Sequence, residues 1–329
     1  MTGLPPCGNW INLTAHTGTR NGCLVLDSIS IAGYQPGASL LSKTLRLFSD
    51  SIDKHLSDEC SVDVTNNIMD LGYAPGEMIH LITSGKFDLG YLSTSYFSKA
   101  IPQLYIFDLP FTIRNRTQAY NLVDGPFSSK IASQIEDKMN LKVLAMWEYG
   151  YRHFTNDSHP IRTPEDCQNL AIRTLLNELH PVMFRALGFE PKTMQVSEFL
   201  TQLKAGKRFA QENALTNYYH FGLHKFHHHI TLSGHLLGMV MFICNKETFE
   251  GWPEELQMFV EMVANRTTLK QRELAAFEEE NVLKALSPDD YHIQVLTEEE
   301  RSLFETTLTV ATKPYREIIG KTILEMVIN

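Results

Sequence analysis

The sequence has no excess of basic residues, and this lack narrows the range of partners. Its 29 lysine and arginine residues are outnumbered by 38 aspartate and glutamate residues, which gives a formal net charge of −9 at pH 7. Nucleic acids and anionic membrane surfaces attract proteins through a basic face. We therefore expect no nucleic-acid partner, and an anionic ligand must be attracted by local arginines rather than by the overall field.

Long apolar runs are also missing. No run reaches the roughly 18 residues that a helix needs to cross a bilayer, so we expect a protein that is not embedded in a membrane. Residues 1–23 contain Gly and Pro, have no lysine and lack the apolar core of a secretory signal. We interpret them as a loose leader. Either a signal was removed and replaced, or the protein stays in the cytoplasm.

Paired cysteines and catalytic signatures are absent from the sequence as well. The five cysteines lie at the irregular positions 7, 23, 60, 167 and 244, and none form a CxxC pair. This spacing indicates neither a disulfide framework nor a zinc cage. The sequence also contains no GxGxxG, GxxxxGK[ST], GxSxG or HExxH motif. We therefore predict no enzymatic activity and no cofactor.

What the sequence does contain is a regular alternation of strand and helix patterns. Apolar segments typical of buried strands occur at residues 24–30, 61–64, 87–92, 141–147, 170–173 and 238–243, with helical repeats between most of them. This alternation predicts an α/β fold, and the length of 329 residues predicts two domains. Ligands of such sheets bind beyond the carboxyl ends of the strands, where we expect Tyr34, Ser93 and Thr94.

Residues 253–286 have the pattern of one long helix. Leu256, Val260 and Val263 belong to its apolar side, and charged residues occupy the opposite side. At 1.5 Å per residue this helix is about 50 Å long, which exceeds the width of one small domain. We predict that it spans both domains and that a final helix reaches Asn329.

A group of five histidines is the most conspicuous local feature, and it comprises His220, His224, His227, His228 and His229. The first three follow one another at i, i+4 and i+7, so on a helix they share one face and offer zinc three imidazoles. A zinc enzyme is one interpretation of this pattern. No cysteine or carboxylate lies at matching spacing, however, and we favour a partly exposed polar helix without a metal.

Two arginines in apolar, strand-like segments are the strongest candidates for a binding site. Arg152 and Arg173 need acceptors, because burying an unpaired charge costs several kcal/mol. One alternative is a structural salt bridge to Glu148 or Glu212. The other is a bidentate contact with a ligand carboxylate, which the fork of a guanidinium suits better than an ammonium does.

Short motifs across most of the chain carry a resemblance to a known family. They lie at residues 85–90, 108–111, 150–156, 161–166, 170–173, 186–188, 197–198, 211–213 and 232–235. With these motifs in this order, the chain resembles the DctP-type solute-binding proteins of tripartite ATP-independent periplasmic (TRAP) transporters. The resemblance implies a two-domain periplasmic-binding-protein-like fold with hinge strands, which closes over a small organic acid. It also implies delivery of that ligand to TRAP membrane permease subunits, and we expect a monomer.

The resemblance implies roles for individual residues. Arg173 matches the arginine that pairs with the substrate carboxylate, and Arg152 and Asn213 match residues that assist it. The other residues that we expect in the site are Tyr34, Ser93, Trp147 and Glu148. Domain I is predicted to comprise residues 24–149 and about 239–278, and domain II residues 150–238 and about 279–329.

The sequence departs from the family pattern at several positions of the second domain. Residues 208–210 read Arg-Phe-Ala before the Gln-Glu-Asn motif, and Leu175 and Val196 replace the usual proline and aromatic residue. These departures predict either an atypical ligand or altered binding. The alternative function is a cytoplasmic or sensory ligand-binding protein of the same fold that has lost the transport role.

Overall fold

The computed structural model describes residues 17–20, 23–26, 28–56 and 61–328. Its strands are β1 (Thr17–Arg20), β2 (Cys23–Leu26), β3 (Ser28–Ala32), β4 (Ser61–Thr65), β5 (Leu89–Ser93), β6 (Leu141–Asn156), β7 (Ala171–Thr174), β8 (Glu190–Thr193), β9 (Ala210–Ala214), β10 (His229–Asn245) and β11 (His292–Val295). Its helices are α1 (Leu40–Leu56), α2 (Met78–Thr83), α3 (Arg116–Val123), α4 (Pro126–Met139), α5 (Leu179–Ala186), α6 (Val196–Lys204), α7 (Leu215–His220), α8 (Lys246–Gly251), α9 (Glu254–Ala285), α10 (Glu298–Ala311), α11 (Lys313–Ile319) and α12 (Lys321–Ile328).

One mixed sheet organises the chain. Its strand order is β4-β3-β5-β10-β6-β9-β7-β8, and β11 pairs with β10. On one side of the centre, β3 pairs in parallel with β4 and β5, and on the other side β7 pairs in parallel with β8 and β9. Helices α1 and α5 connect the parallel pairs β3–β4 and β7–β8. The predicted α/β alternation is therefore confirmed.

Two long antiparallel strands, β6 and β10, form the centre of the sheet and run through both halves. The Val240–Cys244 end of β10 pairs with β5, whereas its His229–Leu232 end pairs with β11. The Arg152–Thr155 end of β6 pairs with β9. The sequence predicted only the apolar half of each strand, because the polar residues of the other half interrupt the hydrophobic pattern. These strands occupy the position expected of hinge strands.

The long helix α9 is confirmed, and it lies across the central strands. Its 32 residues extend for about 48 Å at 1.5 Å per residue. In its middle, Gln271 bonds both backbone groups of one β6 residue: its Nε2 donates to the carbonyl of Glu148, and its Oε1 accepts from the same residue's N–H. Val260 packs in the core of the first half and Val282 in a core of the second half, so α9 bridges the two.

The C-terminal segment differs from the single helix that the sequence pattern predicted. It forms three helices, α10 to α12, because Pro314 lies in the first turn of α11 and Gly320 ends that helix with φ +88°. Although residues 279–329 were assigned to domain II, Ile319 and Val327 pack in the core of the first half. The domain boundaries themselves remain a prediction.

Residues 1–16 and 21–22 of the expected leader lie outside the described residues, and its residues Thr17–Arg20 form a strand that pairs with Cys23–Leu26. Among the described residues, no helix combines the length and the apolar character that crossing a bilayer requires.

Candidate functional site

A narrow, partly open cavity lies where the two halves of the sheet meet. It is lined by Tyr34, Ser93, Tyr96, Tyr149, Arg152, Arg173, Leu175, Val196, Asn213, Asn217 and Phe221. Five residues that the sequence put forward for a site are thus brought together, namely Tyr34, Ser93, Arg152, Arg173 and Asn213.

These side chains reach the cavity because they lie at or near the carboxyl ends of strands. Ser93 is the last residue of β5, Asn213 is the second-last of β9, and Arg173 is the second-last of β7. Tyr34 follows the end of β3. The carboxyl ends of strands from both halves therefore meet around one space, as expected for ligand sites of α/β sheets.

Arg173 is buried at the cavity wall without a protein carboxylate. Its Nε donates to the carbonyl of Met194 at 3.0 Å, and its Nη2 is buried without a hydrogen-bond partner. The guanidinium also lies 5.9 Å from the ring centroid of Phe199. Burial lowers the pKa of Arg173 from its ordinary value, since desolvation disfavours the charged form. Among the described residues, no carboxylate forms an ion pair with Arg173, and the Met194 carbonyl is a neutral acceptor.

Arg152 has a different partner, and the predicted salt bridge to Glu212 is present. Its Nε and Nη2 donate to the two carboxylate oxygens of Glu212 at 2.5 and 2.6 Å. Its Nη1 donates to the hydroxyl of Tyr149 at 2.6 Å. Burial opposes the charge of Arg152, but Glu212 outweighs it and raises the pKa of the guanidinium. The structure therefore combines both alternatives for this residue, because Arg152 is paired and also faces the cavity.

Glu212 is the centre of a buried polar cluster behind the cavity. Its Oε1 lies 3.6 Å from Nδ1 of His180, and its Oε2 lies 3.6 Å from Nε2 of His235. The other ring nitrogen of His180 is 2.9 Å from Asp108. Burial disfavours the Glu212 carboxylate, yet the charge of Arg152 holds its pKa well below the usual range. Burial lowers the pKa of His235 to about 4, so this imidazole is neutral at pH 7.

An amide network fixes Asn213 and connects the two halves. The Oδ1 of Asn213 accepts from Nδ2 of Asn217 at 3.1 Å, and Oδ1 of Asn217 accepts from Nε2 of Gln35 at 2.9 Å. Since its oxygen is occupied by protein donors, Asn213 has its Nδ2 to offer to a ligand. A donor at this position is suited to an anion or a hydroxyl.

Tyr149 reaches the cavity through a β-bulge. In the β6–β10 ladder, Gly150 pairs with Gly238 and Glu148 pairs with Met239, which leaves Tyr149 as the extra residue. Gly150 adopts φ +103°, a conformation that favours glycine. The ring of Tyr149 lies over Gly238, where an added Cβ would be 2.2 Å from ring atom Cε2. The bulge therefore aims the phenol at Arg152, in keeping with the frequent role of bulges beside binding sites.

Trp147 and Glu148 are not among the residues that line the cavity. The Trp147 ring stacks on Phe242 with centroids 4.5 Å apart, and its Nε1 donates to Thr268 at 3.0 Å. Glu148 is fully buried and accepts from Arg116 Nε at 2.8 Å. Burial raises the pKa of Glu148, although Arg116 opposes this effect. The structure gives both residues contacts with other parts of the protein rather than with the cavity.

The histidine group does not lie on one helix, so the premise of the zinc interpretation is wrong. Helix α7 ends at His220, and Gly222 with φ +73° separates it from the short turn that contains His224. His227 is buried, and its Nδ1 is 2.9 Å from the hydroxyl of Thr155. Among the described residues, no three His, Cys, Asp or Glu side chains are grouped so that they hold a metal ion.

Several residues that line the cavity were not predicted for the site. Leu175 and Val196 were recognised only as departures from a family pattern, and Tyr96, Tyr149, Asn217 and Phe221 were not proposed for the site. Tyr96 donates to Oε1 of Gln195 at 3.0 Å across the cavity. No sequence signal marks Tyr96, because it follows β5 in a short turn. Asn217 lies four residues after Asn213, a spacing that gave no signal without the fold.

Comparisons with known proteins agree with this architecture. Residues 32–318 match the DctP family, described as bacterial extracellular solute-binding protein, family 7. The 2,3-diketo-L-gulonate-binding periplasmic protein YiaO of Escherichia coli K12 is 28% identical over 234 residues, which is 70% of each chain. The C4-dicarboxylate-binding periplasmic protein DctP of Rhodobacter capsulatus is 26% identical over 219 residues, covering 65% of this chain and 64% of that protein.

Solved structures share the fold at low sequence identity. The sugar acid binding protein DctPAm from Advenella mimigardefordensis, in complex with galactonate, superposes with a TM-score of 0.86 at 24% identity. The superposition covers 92% of this chain and 97% of that chain. A TRAP periplasmic solute binding protein from Sulfurospirillum deleyianum with bound succinate has a TM-score of 0.86 at 22% identity, covering 92% and 98% of the two chains. The family match extends over most of the sequence, and the chain belongs to the DctP family of bacterial extracellular solute-binding proteins.

Proposed function

We propose that this protein captures a small organic acid between its two halves and delivers it to a TRAP-type membrane permease. In this proposal the carboxylate of the ligand pairs with Arg173, while Arg152 and Asn213 donate further hydrogen bonds. The protein carries out no chemical step, and it acts as a monomer in the periplasm.

The observation that carries the proposal is the unpaired charge of Arg173. Its side chain is 2% exposed, and its Nη2 has no partner among the described residues. A buried guanidinium that no carboxylate neutralises is costly, because burial disfavours its charged form. A ligand carboxylate removes this cost and gains charge-assisted hydrogen bonds of about 1.5–3 kcal/mol each.

Contacts across the cavity support capture by closure of the two halves. Gln35 and Tyr96 come from the first half, and they bond Asn217 and Gln195 of the second half at 2.9 and 3.0 Å. Bonds of this kind form only when the halves approach each other. The hinge strands β6 and β10 connect the halves, and bending within them would open the cavity.

The family relationship supports the transport role. The chain matches an extracellular solute-binding family, and its relatives include periplasmic proteins named for binding 2,3-diketo-L-gulonate and C4-dicarboxylates. This relationship favours the periplasm and a permease partner over the cytoplasmic or sensory alternative. A complete cavity within one chain supports the monomer, which size-exclusion chromatography with light scattering tests directly.

Calorimetry with a panel of organic acids tests the role of Arg173. We expect at least one acid to bind the wild-type protein, and Arg173→Met to weaken that binding by at least about tenfold, the equivalent of one lost charge-assisted bond. Arg208→Ala is the matched control, since Arg208 is exposed and pairs with Asp157 at 3.2 Å. Equal affinity of wild type and Arg173→Met would refute the assignment.

A stability measurement separates this role from a structural salt bridge. Without ligand, Arg173→Met removes a buried charge that has no partner, so the melting temperature should rise above that of the wild type. A structural salt bridge predicts the opposite shift. Mass spectrometry of the small molecule that co-purifies with the wild-type protein, and is missing from the variant, would then identify the ligand.

A further inference from the structure

The charges on the cavity wall limit how many carboxylates a bound ligand can carry. Of the eleven lining residues, only Arg152 and Arg173 carry a charged side chain. The others are three tyrosines, one serine, two asparagines and the apolar residues Leu175, Val196 and Phe221. The number of ligand carboxylates that the wall can neutralise therefore depends on these two guanidinium groups.

The charge of Arg152 is already neutralised within the protein. Glu212 accepts two hydrogen bonds from it at 2.5 and 2.6 Å, and both side chains are buried. The groups behind this pair add no cationic excess. His235 is neutral at pH 7, since burial lowers its pKa to about 4, and the ring of His180 lies between the carboxylates of Glu212 and Asp108. Arg173 alone presents an uncompensated positive charge.

The rest of the wall is built for neutral polar groups. Burial raises the pKa values of Tyr34, Tyr96 and Tyr149, so these phenols stay protonated at pH 7. Together with the Asn213 amide, their hydroxyl groups can donate to or accept from ligand hydroxyl or keto groups. A second carboxylate in this space would be buried without a counter-charge, which is strongly disfavoured.

We propose that the ligand carries a single carboxylate, held by Arg173, and neutral hydroxyl or keto groups on the rest of its skeleton, and that dicarboxylates are discriminated against. This inference rests on the proposed function, because it concerns the same site. It excludes part of the range of acids that the family relationship leaves open, in which a relative is named for binding C4-dicarboxylates.

Calorimetry with pairs of acids that differ at one end tests the inference on the wild-type protein. One pair is galactonate and galactarate, in which a hydroxymethyl group is replaced by a carboxylate. The other pair is succinamate and succinate, in which a carboxamide is replaced by a carboxylate of nearly the same shape. We expect the monocarboxylate of at least one pair to bind, and to bind at least tenfold more tightly than its dicarboxylate.

A change of wall charge provides the second arm. Leu175→Lys adds a positive charge to the wall, and Glu212→Gln releases the charge of Arg152. Either variant that retains the wild-type circular dichroism spectrum should shift the preference at least tenfold towards the dicarboxylate. Leu175→Met is the control for the first variant and should leave the preference unchanged.

The outcomes distinguish this inference from the function on which it rests. A wild-type protein that binds a dicarboxylate as tightly as its monocarboxylate partner, or more tightly, overturns the single-carboxylate inference and leaves organic-acid binding intact. A protein that binds none of these acids, and none in a wider panel of organic acids, overturns both.

Discussion

The close approach of Tyr149 to Gly238 gives a prediction that can be worked out in detail. A Cβ added at Gly238 would lie 2.2 Å from Cε2 and 2.3 Å from Cζ of the Tyr149 ring. An ordinary contact starts at 3.4 Å, so in Gly238→Ala the ring must withdraw by about 1.2 Å. The ring is buried, and its hydroxyl accepts a hydrogen bond from Arg152 Nη1 at 2.6 Å. Withdrawal therefore strains the packing and also disturbs a wall of the cavity.

We expect Gly238→Ala to lower the free energy of unfolding in urea by about 1–3 kcal/mol, the usual cost of adding a methyl group to a filled core. Ligand affinity should fall as well, because the Tyr149 hydroxyl moves away from Arg152. Gly37→Ala is the matched control. Its added Cβ would be 3.8 Å from the nearest neighbouring atom, Nδ2 of Asn66, so its cost should stay within about 0.5 kcal/mol.

A double-mutant cycle identifies the Tyr149 ring as the cause. In a Tyr149→Ala background the clash is gone, and Gly238→Ala should then cost less than about 0.5 kcal/mol. The reasoning is refuted if Gly238→Ala destabilises no more than Gly37→Ala. It is refuted equally if the full cost persists when the ring is absent.

Three further predictions concern closure, a buried ion pair and pH. Tyr96→Phe removes the hydrogen bond from Tyr96 to Gln195, which is worth about 0.5–1.5 kcal/mol. Ligand dissociation, measured by stopped-flow fluorescence, should therefore become about two- to tenfold faster, and an unchanged rate would contradict the prediction. Arg116→Gln leaves the buried Glu148 without its cation and should lower the free energy of unfolding by about 2 kcal/mol, less than for a fully buried pair, with ligand affinity unchanged in calorimetry. The pKa of His235 is about 4 in the folded protein and about 6.5 in the unfolded chain. As the pH drops from 6.5 to 4, the unfolded chain therefore takes up a proton that the folded protein does not, and the free energy of unfolding falls. In urea titrations the free energy of unfolding of His235→Gln should fall by about 3 kcal/mol less than that of the wild type between pH 6.5 and pH 4. An equal fall in both proteins would contradict the lowered pKa of His235.

Much of the architecture was predictable because it depends on local patterns. The apolar face of α1 and the length of α9 follow from helical periodicity, which the sequence shows directly. The ends of β6 and β10 were not predictable, since their polar halves are stabilised by pairing with each other and with β9 and β11 rather than by a continuous apolar pattern. The prediction that the histidine group shares one helix was wrong for a related reason. Its i, i+4, i+7 spacing has meaning only on a helix, and Gly222 ends that helix.

The site was predictable in part. Arg173, Arg152 and Asn213 were found from motifs, and Tyr34 and Ser93 from their positions after strands. Trp147 and Glu148 were also proposed for the site, but neither lines the cavity. Neighbours along a strand face opposite sides, and adjacency alone does not say which side holds the cavity.

The sequence by itself determined that the chain is an α/β protein with arginines in apolar segments, because composition and periodicity express local burial. Only the tertiary structure decided whether each arginine pairs with a carboxylate of the protein. With regular alternation along β6, residues 148 and 152 would face the same side. The extra residue at the bulge reverses the alternation, so Glu148 and Tyr151 both contact Arg116 while Arg152 turns towards Tyr149 and Glu212. Arg152 thereby pairs with a carboxylate of the protein, whereas Arg173 on the separate strand β7 has no carboxylate partner among the described residues and is proposed to pair with a ligand.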